Sequence, residues 1–247
     1  MNSDALPEMY ENKTVIITGS ARRLGKEISL AVAAAGFTVV IHTSQSQNDA
    51  QALVEQIINS GGSAKYICAD FSNPEKANEV FKRTFLEENN LFALINNASI
   101  FGPGNFLETT YESWQTNFAV NLTTPFLLSQ SFAKIIGKNT GRIINILDWR
   151  ALRPGKDHFS YTISKSALAS MTKAMAIALA PNIIVNGLAL GAILPPSNGG
   201  SESIIKSVPA GRWATIKELT DTVLFLLTGP EYITGEIIHL DGGRNLI

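Results

Sequence analysis

The sequence has few of the residues that build cross-links and metal sites. It contains one cysteine, Cys68, and three histidines among 247 residues. A single cysteine excludes an internal disulfide and a cysteine zinc cluster. The apolar run around Cys68 predicts a buried, unreactive thiol. We therefore expect a protein of a reducing compartment, with no metal site.

Excess charge of one sign and long apolar segments are also lacking. Lys and Arg number 20 against 21 Asp and Glu, which leaves no basic field for nucleic acid or an anionic membrane. The Ala-rich stretch 166–180 contains Lys173 and is too short to span a bilayer. The first residues, MNSDALPEMYENK, lack the basic start and apolar core of a signal peptide. These absences predict a cytoplasmic protein without nucleic-acid or membrane partners.

The remaining composition is that of a folded enzyme, with 45% hydrophobic and 17% charged residues. Short apolar runs, interpreted as buried strands, alternate with longer segments of helical period. The predicted strands are 14–18, 38–42, 64–69, 91–96, 142–147, 183–188 and 236–240. The predicted helices are 26–35, 49–60, 74–88, 112–136, 161–180 and 216–227. This alternation predicts a single-domain α/β fold over 1–247, a doubly wound parallel sheet with helices on both faces.

In such a sheet the ligand lies beyond the carboxyl ends of the strands, and the loop after the first strand has a phosphate-binding pattern. The segment TGSARRLG, residues 18–25, leads from strand to helix, and its glycines allow the backbone to approach a pyrophosphate. A turn that binds no ligand also requires glycine, so the loop alone fits either a phosphate-binding site or a plain turn.

Two features of the sequence bear on the choice of nicotinamide cofactor. Arg22 and Arg23 lie in the first loop, and the second strand leads into Thr43 and Ser44 where an NAD-binding chain often has a carboxylate for the ribose. A 2'-phosphate would be attracted by these groups, so the pattern favours NADPH over NADH.

Tyr161 and Lys165 are four residues apart at the start of a predicted helix and so share a face. An ammonium beside a phenol favours phenolate and is expected to lower the tyrosine pKa from ~10 toward the working pH. Alone, such a pair is more often an ordinary contact on the exposed face of a helix. It is accompanied by NNAS at 96–99, Asn121 in VNLTTP, Asn186-Gly and Asp241-Gly-Gly.

In their order and spacing these motifs resemble the short-chain dehydrogenase/reductase family, from about residue 12 to the end. The resemblance implies a Rossmann-like domain, a nicotinamide cofactor and a homotetramer. It implies Tyr161 as proton donor, Lys165 as ribose ligand and tuner of Tyr161, and Asn121 in a water-linked proton relay. Cofactor contacts are expected at Tyr161 and Lys165 and at Gly19, Ser20, Arg22, Arg23, Leu24, Gly25, Thr43, Ser44, Asp70, Phe71, Asn97, Ala98, Gly191 and Ile193.

The sequence departs from the family pattern at two positions. Asp148 stands 13 residues before Tyr161, where most members have serine, and Arg23 replaces the middle glycine of the first loop. An ionised carboxylate only accepts hydrogen bonds and suits a substrate with N–H groups, whereas a protonated one could help Tyr161 protonate a ring nitrogen. With Ser99 and Phe101, these departures resemble the pteridine reductase branch and its dihydromonapterin reductase relatives.

That narrower resemblance implies a flat heterocycle as substrate. Phe101 would stack on it against the nicotinamide, and Ser99 and Arg23 would hydrogen-bond ligand and phosphate. Other interpretations remain open: Asp148 could cap a helix or pair with Arg150, Arg23 could be a solvated cation, and Phe101 could be core. Segment 194–210 could be a substrate lid or an ordinary surface loop.

The sequence therefore predicts an NADPH-dependent reductase that converts a dihydropterin to a tetrahydropterin, with dihydrofolate as a possible second substrate. Two alternatives stand beside it. One is a carbonyl reductase of the same family acting on a 3-oxoacyl thioester or a sugar ketone. The other is a non-catalytic NADP-binding sensor.

Overall fold

The computed structural model describes residues 12–194 and 201–247. Within them the strands are β1 Thr14–Ile17, β2 Thr38–Thr43, β3 Ser63–Cys68, β4 Leu91–Asn96, β5 Gly141–Asp148, β6 Ile183–Leu190 and β7 Ile237–Leu240. The α-helices are α1 Arg23–Ala34, α2 Gln47–Asn59, α3 Pro74–Glu87, α4 Tyr111–Phe118, α5 Thr124–Ile136, α6 Phe159–Leu179, α7 Ser201–Lys206 and α8 Ile216–Thr228. A π-helical turn, Ala119–Thr123, joins α4 to α5.

The strands form one parallel sheet in the order β3-β2-β1-β4-β5-β6-β7. The predicted single-domain α/β fold is confirmed. Strand β1 has β2 on one side and β4 on the other, so the crossover connections change direction there. This change opens a crevice at the carboxyl edge of the sheet.

The core lies on both faces of the sheet because side chains alternate along each strand. Val15 and Ile17 pack into one buried cluster with Ile28 of α1. Ile16, between them, packs into the cluster of the opposite face with Phe81 of α3. Because the strands are covered by helices on both sides, β1 consists of buried residues throughout.

Two predicted features of the strands and their burial differ from the structure. The third strand was interpreted as buried, but it forms the edge of the sheet and is half to fully exposed. The expectation of a buried thiol is also wrong, because Cys68 at its end is half-buried. Partial burial still disfavours the thiolate and raises the pKa of Cys68.

The helices differ from prediction near the site. Helix α1 begins at Arg23, three residues earlier than expected, and the π-helical turn interrupts the predicted helix 112–136. The predicted substrate loop 194–210 contains the short helix α7, while its residues 195–200 lie outside the described part. Across 12–194 and 201–247, no helix combines the length and apolarity that a bilayer crossing requires.

Candidate active site

A cleft of about 690 Å³ runs along the carboxyl edge of the sheet, from the β1–α1 loop to the segment after β7. Most of the residues expected to bind cofactor or substrate lie in its wall. These are Gly19, Arg22, Arg23, Leu24, Gly25, Ser44, Asp70, Phe71, Asn97, Ala98, Ser99, Phe101, Asp148, Tyr161, Lys165, Gly191 and Ile193.

Ser20, Thr43 and Asn121 are buried behind the wall rather than in it. The Ser20 hydroxyl donates to the Ile17 carbonyl oxygen at 2.7 Å, and Thr43 Oγ1 accepts from the Ser46 amide at 3.0 Å. Both side chains therefore hold loops in place. Their hydroxyls bind within the protein, and their expected contacts with the cofactor stay a prediction.

Asn121 lies inside the π-helical turn, a feature often found at functional sites. Its Oδ1 accepts from the Ile100 amide at 2.9 Å and from Ser99 Oγ at 3.1 Å. Its Nδ2 donates to the Ile100 carbonyl at 3.1 Å and to Ser164 Oγ at 3.1 Å. The side chain thus fixes the loop that carries Ser99 and Phe101, and its role in a proton relay stays a prediction.

The β1–α1 loop packs so closely that it needs glycine at position 19. Gly19 has φ +61°, and a Cβ there would come within 2.8 Å of the Ala98 Cα. The Gly19 amide donates to His42 Nδ1 at 3.0 Å, and His42 Nε2 lies 2.9 Å from the Ala69 carbonyl oxygen. Sequence reasoning missed His42, which connects the β1–α1 loop to the loop after β3, and both loops contain expected cofactor contacts.

Helix α1 begins at this loop without a side-chain cap and without an acidic residue in its first turn. Its first amide groups and positive dipole end therefore suit an anion. Arg23 has φ 52°, in the left-handed region that favours glycine. Such strain persists only where the surrounding structure imposes it, and it is concentrated at functional sites.

Arg22 has a partner that the sequence did not reveal. Its Nε and Nη2 each lie 2.5 Å from Asp49 Oδ2, on the first turn of α2. Both groups are solvent-exposed, so the pair contributes little to stability. The carboxylate offsets part of the positive charge of Arg22, whereas Arg23 forms no ion pair among the described residues.

The Tyr161 hydroxyl donates to Asp148 Oδ2 at 3.1 Å. Asp148 ends β5, and Tyr161 lies in the first turn of α6, so the fold joins two residues 13 positions apart. Burial, followed by the nearby Asp148 carboxylate, raises the pKa of Tyr161 well above 10. The expectation of a lowered phenol pKa is wrong in this arrangement, where the hydroxyl keeps its proton.

Lys165 is buried, and its Nζ donates to the Ile146 carbonyl oxygen at 2.7 Å. Burial lowers the pKa of Lys165 to about 8, while Asp148 opposes this effect. The ammonium lies 6.0 Å from the centre of the Tyr161 ring. It is anchored beside the phenol rather than hydrogen-bonded to it.

The two carboxylate oxygens of Asp148 have different partners. Oδ1 accepts from the Arg150 amide at 2.8 Å and so caps the short 3₁₀ turn Trp149–Ala151, while Oδ2 faces Tyr161. The Arg150 guanidinium lies 3.9 Å from Oδ1 and 3.2 Å from Asp157. The cap fixes the carboxylate in the cleft.

Phe101 is 54% exposed, so its interpretation as core is wrong. Its ring stacks on His158 with centroids 3.8 Å apart and planes at 21°. It also meets the Tyr161 ring edge-on, at 4.7 Å and 90°. An aromatic surface therefore lies beside the Tyr161 side chain. His158 adopts φ 51°.

Three further cleft residues had weak sequence signals or none. These are Trp149, Trp213 and Arg244. Arg244 follows the Asp241-Gly-Gly motif by a single position, which is the one signal that could have drawn attention to it. In the described part of the chain, no group of His, Cys, Asp and Glu side chains has a metal-binding arrangement.

Comparison with known proteins gives consistent matches over most of the chain. A family model described as enoyl-(acyl carrier protein) reductase matches residues 19–245. The 3-oxoacyl-[acyl-carrier-protein] reductase of Synechocystis is 33% identical over 94% of this chain and 96% of its own length.

Solved structures match at similar identity. FolM alternative dihydrofolate reductase 1 from Brucella canis, complexed with NADP, has a TM-score of 0.90 and 34% identity, covering 97% of this chain and 96% of its own. The protein of the same name from Brucella suis, also with NADP, has a TM-score of 0.88 and 35% identity, covering 96% of both chains.

Proposed function

The chain belongs to the short-chain dehydrogenase/reductase family, and from that premise we propose that it is an NADPH-dependent reductase of dihydropterins. The coarser activity, an NADP-dependent reductase of a small molecule, follows from family membership and the similarity to NADP-bound structures. The assignment of a dihydropterin as the substrate is more specific, and it depends on the residues around Tyr161.

The cofactor is NADPH, and the residues of the cleft fit it. The uncapped start of α1 and the close-packed Gly19 suit the pyrophosphate. Arg22, Arg23 and Ser44 offer a charged and polar setting for a 2'-phosphate. Lys165, in the same cleft, is the group expected at the nicotinamide ribose. When bound, NADPH supplies a hydride from its nicotinamide ring.

One observation carries the choice of substrate: the Tyr161 hydroxyl donates to a carboxylate, Asp148, at 3.1 Å. A ketone oxygen only accepts hydrogen bonds, and an ionised carboxylate supplies no donor to it. A heterocycle with N–H groups can donate to Asp148 and receive a proton from Tyr161. The similarity to FolM of Brucella canis supports the same interpretation.

Four side chains around the substrate have separate roles in the proposed reaction. Phe101 offers its exposed ring as a flat surface for the heterocycle. Asp148 accepts a hydrogen bond from a ring N–H group and orients the substrate. Tyr161, kept protonated by its buried setting, donates its proton to the ring nitrogen adjacent to the carbon that receives the hydride. Lys165 stabilises the phenolate that remains, because its ammonium lies near the ring.

The second candidate is reduction of a 3-oxoacyl thioester. It is supported by the identity to the Synechocystis reductase over nearly the whole chain. In this alternative the substrate oxygen takes its hydrogen bond from Tyr161 alone, with Asp148 as a tolerated substitution for serine.

Replacement of Asp148 by serine separates the two candidates. Serine also caps turns, so the 3₁₀ turn is expected to survive. For a dihydropterin we expect kcat/KM to fall by about 100-fold or more, with little gain for a 3-oxoacyl thioester. The matched control is Asp157→Ser, which removes the other carboxylate partner of Arg150 outside the cleft wall. Retained dihydropterin turnover in Asp148→Ser, or a large gain with the thioester, would contradict the proposal.

A further inference from the structure

The cleft has a second positive region, far from the one that suits the cofactor phosphates. Arg22 and Arg23 lie beyond β1, whereas Arg150 follows β5 and Arg244 follows β7. Because β7 is at the opposite edge of the sheet from β2 and β3, the arginines near it border the substrate end. Because Arg150 and Arg244 are far from the start of α1, phosphate groups bound there cannot be their ligands.

Arg244 is held in place by a dedicated turn. The Asp241 carboxylate accepts from the amides of Gly243 and Asn245, each at 2.9 Å. Gly243 has φ +85°, which lets the chain turn back toward the cleft. The Arg244 carbonyl oxygen accepts from Arg153 Nη1 at 3.3 Å. The backbone that presents Arg244 is thus fixed on both sides.

The Arg244 guanidinium is the cation of this region that lacks an acidic partner. It packs 4.4 Å from the centre of the Trp149 ring, and Arg150 packs 4.9 Å from the same ring. Arg150 is paired with Asp157, but Arg244 forms no ion pair among the described side chains. Burial, and then the charge of Arg150, lower the pKa of Arg244, while the carboxylates of Asp148, Asp157 and Asp241 oppose this effect. Two cations on one indole, one of them unpaired, form an anion-binding arrangement.

We propose that Arg244, held against Trp149, forms a subsite for a carboxylate on the tail of the substrate. This inference rests on the proposed function, since it assumes that the reacting heterocycle lies between Phe101, Asp148 and Tyr161. A tail that leaves the ring toward the β7 end of the cleft would meet Arg244. The subsite would favour a dihydropterin with a carboxylate-bearing tail over one with an uncharged tail.

The kinetic test compares dihydrofolate, which has a glutamate tail, with dihydrobiopterin, which has a neutral one. In Arg244→Gln we expect KM for dihydrofolate to rise about tenfold, with KM for dihydrobiopterin changed less than about twofold. Arg244→Lys should recover part of the loss because it keeps the charge. Lys217→Gln, which removes an exposed charge on α8, is the matched control. An equal rise for both substrates, or none, would overturn the subsite.

A binding test separates the subsite from the reaction. The NADP⁺-loaded protein is titrated with 4-aminobenzoyl-glutamate, and with 4-aminobenzamide as its uncharged counterpart. We expect binding of the former alone, weakened about tenfold in Arg244→Gln. If this binding is observed but no dihydropterin is reduced, the subsite stands and the proposed function fails. If dihydropterins are reduced but the probe does not bind, the function stands and the subsite fails.

Discussion

At the residue scale, the main feature of the site is the hydrogen bond from the Tyr161 hydroxyl to the Asp148 carboxylate. The phenol is buried beside a carboxylate, which raises its pKa and keeps its proton. A protonated phenol is a donor, and the nearby Lys165 ammonium can stabilise the phenolate formed on transfer.

Replacement of Tyr161 by phenylalanine removes the donor while preserving the ring that packs edge-on against Phe101. We expect kcat to fall by about 100-fold or more, because general acid catalysis typically contributes that much. NADPH binding, followed by fluorescence titration, should stay within about threefold. Full turnover in this variant would show that Tyr161 is not the acid. If neither the wild type nor the variant oxidises NADPH with any substrate, the result favours the alternative of a non-catalytic NADP-binding sensor.

His42 gives a prediction for the pH dependence of stability. Burial lowers the pKa of His42 from 6.5 to about 4, and the hydrogen bond between Nε2 and the Ala69 carbonyl oxygen opposes only part of this shift. A depressed pKa means that the unfolded chain binds the proton first. The stability is therefore complete above pH 6.5 and is lost as the pH falls toward 4.

The measurement compares the wild type with His42→Phe, which keeps a ring against Phe71 but cannot titrate. Between pH 7.5 and pH 4 the wild type should lose about 3 kcal/mol more of its free energy of unfolding than the variant. At pH 7.5 the variant should be the less stable, since Gly19 and Ala69 lose their partner. Parallel losses in the two proteins would contradict the account.

At the scale of elements, the site depends on how helices begin. Helix α6 starts at Phe159 and so places Tyr161 in its first turn, while α1 starts at Arg23 and points its amides into the cleft. The helical period indicated both helices but not these starts, because Arg23 and the N-cap His158 have positive φ, which side chains other than glycine rarely adopt. Sequence periodicity carries no signal for such residues.

Helix α8 begins with a capping box. Thr215 Oγ1 accepts from the Glu218 amide at 3.2 Å, and Glu218 Oε2 accepts from the Thr215 amide at 2.7 Å. Replacement of Thr215 by alanine should lower the free energy of unfolding by about 1 kcal/mol, read from the urea midpoint at an unchanged slope. Thr215→Ser should retain most of the stability that the capping box provides. An equal loss of stability in both variants would show that the cap does not stabilise the helix.

At the scale of the whole molecule, the arrangement of the sheet and helices was predicted better from sequence than the contacts between individual side chains. Alternating apolar runs were sufficient for the parallel sheet, and the polar residues at strand ends were sufficient to locate most of the cleft. The Arg22–Asp49 pair, the Asn121 contacts with the 99–100 loop and the position of Arg244 were missed. Each depends on how two separately predicted elements pack, which local patterns do not encode. The homotetramer stays a prediction.

The most direct test of the central claim is NADPH consumption at 340 nm by the purified protein. The substrates are dihydrobiopterin, dihydromonapterin and dihydrofolate, beside a set of simple and sugar ketones and a 3-oxoacyl thioester. The account predicts turnover of at least one dihydropterin while the ketones and thioester stay inert, because Asp148 offers no donor to a ketone oxygen. Rapid turnover of a ketone or thioester with all dihydropterins inert would contradict it and leave only the general reductase assignment.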